Sequence, residues 1–124
     1  MQDNIFRGIH HVSLLVQDRQ RALDFYCGVL GMTLVERPAL PFDGAWLDVG
    51  SSQQIHLLVL PDPCVGRSLP EHGGRDRHAA FQVNDFDALV ARLENANIPF
   101  TRSRSGRQAL FCRDPDGNAL EFIG

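Results

Sequence analysis

The feature that most constrains this chain is that it is written twice. Residues 11–18 read His-Val-Ser-Leu-Leu-Val-Gln-Asp and residues 78–85 read His-Ala-Ala-Phe-Gln-Val-Asn-Asp, with His, Val and Asp at the first, sixth and eighth positions of both copies. The offset is 78 − 11 = 67 residues in a chain of 124. A repeat of this length is one supersecondary unit, so the chain reads as two equivalent modules within a single-domain length. Module one spans about 8–60, a Pro/Gly-rich connector about 61–77, and module two about 78–124.

Each Asp of the repeat opens a helix. After Asp18, the residues Ala22, Phe25, Tyr26, Val29 and Leu30 form an i, i+3, i+4, i+7, i+8 stripe. After Asp85, Phe86, Leu89, Val90 and Leu93 share one face. Asp18 and Asp85 stand where N-caps belong, and Gly31 and Asn97 stand where a left-handed C-cap residue is expected. Short strands follow in each copy: 33–36, 45–49 and 54–60 in the first, 100–102, 108–113 and 119–123 in the second. Ser105-Gly106 and Asp114-Pro115-Asp116-Gly117 supply the turns of the second set. The expected fold is therefore α+β: two βαβββ modules, each with a helix on one face of its sheet and the other face free.

Alternation along the strands assigns the side chains of that free face. Val12, Leu14 and Val16 pack under a helix, so His11, Ser13 and Leu15 line the opposite side. By the same rule His78 shares a row with Ala80 and Gln82, His56 lies opposite in direction to Ile55 and Leu57, and Glu121 lies opposite to Leu120 and Phe122. His56 and Glu121 are also repeat mates, since 121 − 56 = 65. A pseudo-two-fold would gather His11, His56, His78 and Glu121. Three imidazoles and a carboxylate suit zinc, nickel, cobalt, manganese or iron and suit calcium or magnesium poorly. A buried Glu121 needs a partner, because an isolated charge is costly to desolvate; a metal is one answer and Arg113 the other. His10 falls on the helix side by alternation and His72 lies in the connector, so neither joins the set.

Charge and composition exclude several classes of partner. A formal net charge of −3 and no Lys/Arg stripe give no footprint for nucleic acid. No apolar run approaches the roughly 20 residues of a membrane span. Three cysteines at irregular spacing argue against a disulfide framework and for a reducing, cytosolic compartment.

Three segments together resemble the vicinal oxygen chelate superfamily, which includes glyoxalase I, fosfomycin-resistance thiol transferases, extradiol dioxygenases and methylmalonyl-CoA epimerase. His11 to Asp18 followed by Phe25-Tyr26 and Val29-Leu30-Gly31 is similar to its opening motif. Arg77-His78 to Val83 resembles its midpoint, and Asp114-Pro-Asp-Gly-Asn118 with Leu120-Glu121-Phe122 its close. The resemblance implies a cupped half-barrel around a divalent metal held by His11, His78 and Glu121. It also implies a homodimer in which His11 and His56 meet His78 and Glu121 of the partner subunit. His56 stands where glyoxalase I carries a glutamate that binds metal and shuttles protons, so it is read as a fourth ligand or a base. The leading expectation is a lyase or isomerase acting on a small α-oxo thiol adduct through an enediolate, with Glu121 or His56 moving the proton. Arg37, Trp46, Arg75 and Phe111 are the expected substrate contacts. A thiol transferase, an iron(II) dioxygenase and a non-enzymatic drug-binding protein are the alternatives on the same scaffold.

Overall fold

A computed structural model describes residues 4–124. Module one runs β1 (His11–Val16), α1 (Arg19–Leu23), β2 (Thr33–Val35), β3 (Gly44–Gly50) and β4 (Gln53–Val59). Module two runs β5 (His78–Gln82), α2 (Phe86–Asn95), β6 (Phe100–Arg102), β7 (Ala109–Arg113) and β8 (Ala119–Ile123). The strands form two open four-stranded mixed sheets of identical design, ordered β1-β4-β3-β2 and β5-β8-β7-β6. In each, the first strand pairs in parallel with the last and the other pairings are antiparallel. The fold is α+β, and neither sheet closes into a barrel.

The helices begin and end on the residues that the sequence marks. The Asp18 carboxylate accepts from Arg21 N–H and the Asp85 carboxylate from Ala88 N–H, satisfying free donors of each first turn. Gly31 at φ +83° and Asn97 at φ +57° adopt the left-handed conformation just past the helical residues. One departure from the stripe lies between those signals. After Leu23 the first helix widens into a π-helical segment, Asp24–Val29, before Leu30 N–H bonds to Phe25 O at 2.9 Å. The longer hydrogen-bonded ring changes the angular spacing of side chains there, and the adjacent Phe25 and Tyr26 are both buried.

One core serves both modules. Val16, Phe25, Tyr26, Leu47, Ile55 and Leu57 cluster with Phe86, Leu93, Leu110, Leu120 and Phe122. The modules are also joined by a buried polar knot in the 114–118 turn. Asp114 Oδ2 accepts from Tyr26 O–H at 2.7 Å and from Asn118 Nδ2 at 2.8 Å, while Oδ1 accepts from Asp116 N–H and Asn118 N–H. Asn118 Nδ2 also reaches Leu15 O at 2.9 Å, which ties β1 of the first module to the second. Among the described residues no helix is long and apolar enough to cross a membrane, and Cys27, Cys64 and Cys112 are free thiols.

Candidate metal and substrate site

The two sheets present the same constellation at the same register. On the first sheet Trp46 of β3 lies opposite His56 of β4, which lies opposite Ser13 of β1, two residues from His11. On the second, Phe111 of β7 lies opposite Glu121 of β8, which lies opposite Ala80 of β5, two residues from His78. Trp46 and Phe111 are thus repeat mates with the same spacing as His56 and Glu121, 111 − 46 = 65. Each sheet carries one buried polar group, His56 at 7% exposure and Glu121 at 3%, beside a more exposed histidine at the edge strand.

The first half-site is a stack of rings. His56 lies between Trp46, at 4.1 Å and 3° between planes, and His11, at 3.9 Å and 14°. Its Nε2 is 2.8 Å from Gln54 Oε1, an oxygen that only accepts, so Nε2–H donates and Nδ1 keeps the lone pair. Burial pushes the His56 pKa down to about 4, helped by the positive potential of His11, His10 and Arg37. The ring is therefore neutral at neutral pH. His10 sits beside His11, Nδ1 to Nδ1 at 2.9 Å, and not on the helix side where strict alternation puts it. The reason is that β1 begins at His11, so His10 precedes the pleated stretch to which alternation applies.

The second half-site is a charged cluster. His78 Nδ1 is 2.8 Å from Asp76 O and its Nε2 is 3.1 Å from Glu121 Oε1. Both ring nitrogens face oxygen acceptors, an arrangement satisfied by a doubly protonated ring or by a cation in place of one proton. The other carboxylate oxygen, Glu121 Oε2, accepts from Arg107 Nη2 at 2.9 Å. Arg113, the other partner expected for Glu121, instead donates to Asp76 Oδ2, Gly117 O and Pro70 O. Phe111 stands edge-on to His78, with 5.1 Å between ring centroids, and to His72, with 4.8 Å.

The four anticipated ligands therefore occur as two pairs, one on each sheet. Among the described residues no three His, Cys, Asp or Glu side chains converge into a metal-sized group. The donor chemistry fits a borderline divalent ion: His78 has a ring nitrogen facing a carboxylate, its other nitrogen is fixed by a backbone carbonyl, and the carboxylate is buried. Of the anticipated substrate contacts, Trp46 and Phe111 touch the two half-sites. Arg37 is engaged with Phe42, donating to its carbonyl at 2.7 Å and lying over its ring. Arg75 is exposed at the end of a 3-10 turn, Gly73–Arg75, and lines a cleft of about 750 Å³ that reaches His78 and residues 12–15 of β1. Sequence reasoning missed Gln54 and Arg107. Gln54 carries the i, i+2 signal of a same-face neighbour of His56 along a strand; Arg107 lies in a turn segment with no periodicity to place it.

The profile of the Glyoxalase/Bleomycin resistance protein/Dioxygenase superfamily matches residues 8–122. The chain is 35% identical to Glyoxylase I 4 of Arabidopsis thaliana, over 92% of this chain and 68% of that protein. It is likewise 35% identical to the uncharacterized protein YaeR of Escherichia coli K12, over 92% of this chain and 93% of that one. Among solved structures, the trypanothione-dependent glyoxalase I of Leishmania major superposes with a TM-score of 0.72 at 27% identity, covering 96% of this chain and 87% of that one.

Proposed function

The chain belongs to the Glyoxalase/Bleomycin resistance protein/Dioxygenase superfamily, and within it we propose that it is a metal-dependent lyase or isomerase of the glyoxalase I type, acting on a small α-oxo thiol adduct. The observation that carries this reading is the contact between His78 Nε2 and the buried Glu121 carboxylate, 3.1 Å, mirrored at equivalent register by His11 and His56 on the other sheet. His11, His78 and Glu121 would hold the ion, which when bound would polarise a carbonyl or hydroxyl oxygen of the substrate.

The rest of the chemistry falls to the chain's own side chains. His56 is neutral, its Nε2–H is given to Gln54, and its Nδ1 lone pair is open. Such a ring can take a proton from the carbon beside a carbonyl and return it to the neighbouring carbon. Trp46 fixes the plane of that ring, and Trp46 and Phe111 give each half-site an aromatic wall. Arg75, free at the cleft, suits an anionic end of the thiol moiety.

We place the complete site between two subunits, with His11 and His56 of one chain facing His78 and Glu121 of the partner chain. The support is that the donors split two and two over sheets that do not bring three of them together within the described chain. Mixing His11→Ala and Glu121→Ala variants tests this directly. If the site is shared, a mixed dimer carries one intact site and one doubly damaged site, so mixing two inactive proteins restores hemithioacetal isomerisation and metal uptake. If each site lies within one chain, mixing restores nothing.

A thiol transferase is the second reading. It is favoured by the stacking of His56 between Trp46 and His11, which leaves a three-ligand set of His11, His78 and Glu121. Turnover of an electrophile and a thiol, without hemithioacetal isomerisation, would select it. Activity restricted to iron(II) and oxygen would select a dioxygenase.

A further inference from the structure

Glu121 is held by two residues of different standing. The carboxylate is 3% exposed and fixed in β8, and His78 meets it from the neighbouring strand β5. Arg107 approaches from the turn before β7, and its side chain is 57% exposed. That turn is anchored at its ends, where Ser103 N–H donates to Ala109 O and Gln108 O accepts from Gly124 N–H, both at 2.9 Å; between them Ser103 Oγ bonds Ser105 Oγ at 2.8 Å and accepts from Ser105 N–H at 3.2 Å. Gly106 at φ +85° provides the backbone bend that brings Arg107 back toward the sheet. A buried anion on a rigid strand is thus neutralised by a cation leaning in from a loop.

We propose that Arg107 and a divalent cation compete for the Glu121 carboxylate, so that the guanidinium leaves Oε2 when the ion takes it and the 104–107 turn swings outward. The inference rests on the metal reading of the site given above. Two arguments support it. A carboxylate desolvated to this degree must be compensated at all times, and Arg107 supplies that charge on the oxygen not already facing His78. A dication on the same carboxylate would stand within a few ångströms of the guanidinium, where like charges in a partly buried setting repel strongly. β8 is paired on both sides, by β5 and β7, whereas the hydrogen bond from residues 104–107 to the sheet is that of Arg107 itself, so it is the turn that gives way. Arg107 is in this sense a positioning residue: it sets the threshold at which Glu121 becomes available as a ligand.

The test is zinc and nickel titration by calorimetry on the full chain, comparing wild type with Arg107→Ala, Arg107→Lys and Arg104→Ala. Arg104→Ala removes the same charge from the same turn without touching Glu121. Competition predicts that Arg107→Ala binds the ion about fivefold more tightly, the size expected of a half-exposed ion pair, with Arg107→Lys between it and wild type and Arg104→Ala within twofold of wild type. Limited trypsin digestion gives a second readout: added zinc should raise cleavage after Arg107 relative to cleavage after Arg104. Equal affinity in wild type and Arg107→Ala with an unchanged cleavage ratio overturns the inference alone. An equal gain from Arg104→Ala also overturns it, since general charge would then explain the effect. No uptake by wild type or Arg107→Ala overturns both the inference and the metal reading, whereas uptake by Arg107→Ala only would be its strongest support.

Discussion

The imidazoles of His11 and His56 lie face to face, 3.9 Å between centroids and 14° from parallel. Imidazole lone pairs lie in the ring plane, so two parallel rings aim their donors side by side. An ion about 2.0–2.1 Å from a nitrogen of each could not lie in both planes. One ring must turn if both are to bind, and His56 is the less free, being pinned by Gln54 and covered by Trp46. His56→Ala is therefore expected to keep its metal to within about twofold and to lose on the order of 100-fold or more in turnover, the range of a missing general base. His11→Ala is expected to lose both. Elemental analysis and steady-state assay on the two variants check this; loss of metal from His56→Ala would make that residue a ligand.

Glu121 gives the complementary expectation. Removing it should weaken zinc binding by at least about 100-fold, more than the 10–100-fold typical of outer-shell partners. Glu121→Gln keeps the shape and removes the charge, leaving His78 and Arg107 beside a neutral amide. Its metal affinity should fall nearly as far as that of Glu121→Ala. Chelator competition on the two variants measures the difference, and wild-type affinity in Glu121→Gln would show that the carboxylate charge is not used.

The sequence was most legible where a local rule and the tertiary structure agree. Asp18 and Asp85 cap helices because a short carboxylate is the ordinary partner of first-turn N–H groups, and Gly31 and Asn97 end them because few residues tolerate positive φ. Alternation placed His56 and Glu121 opposite the core row, and 65-residue spacing marked them as mates. The π-helical widening after Leu23 was hidden, because the apolar stripe of that segment satisfies the ordinary helical period as well. Arg107 was hidden for another reason. Its approach to Glu121 depends on the path of the turn between β6 and β7, and nothing in Ser-Arg-Ser-Gly-Arg encodes a target. Sequence also gave four donors without their division into pairs, since strand alternation fixes faces and not the distance between two sheets.

Tyr26 and Asp114 join the two modules through a buried hydrogen bond of 2.7 Å. Tyr26→Phe removes the donor and keeps the ring, so the change isolates the bond. Asp114 retains its other donors, Asn118 Nδ2 and the Asp116 and Asn118 amides. The expected cost is about 1–3 kcal/mol, the range for a buried group losing one partner, read as a lower urea midpoint at unchanged slope. Metal uptake should stay as in wild type, because neither residue touches a proposed ligand. A drop in metal uptake as large as the drop in stability would mean that the junction, and not the sheets alone, sets the site.

Alkaline stability follows from the same junction. Burial raises the Tyr26 phenol well above its ordinary 10.0, reinforced by the Asp114 charge, and burial raises the Cys112 thiol from 9.0 to about 12, again with Asp114 contributing. Both groups keep their protons in the folded chain over a range where the unfolded chain has lost them. The unfolded state therefore binds fewer protons above about pH 9, and stability falls as pH rises from there toward 12. The part due to Cys112 should approach about 4 kcal/mol by the upper end, from 1.36 kcal/mol per pH unit. Cys112→Ala removes that part and leaves the part due to Tyr26, so its stability should decline less steeply between pH 9 and 10. Urea unfolding at pH 7, 9 and 10.5 measures the slope for each protein. Identical pH dependence in wild type and Cys112→Ala would mean that the thiol ionises in place or that the core opens before it titrates.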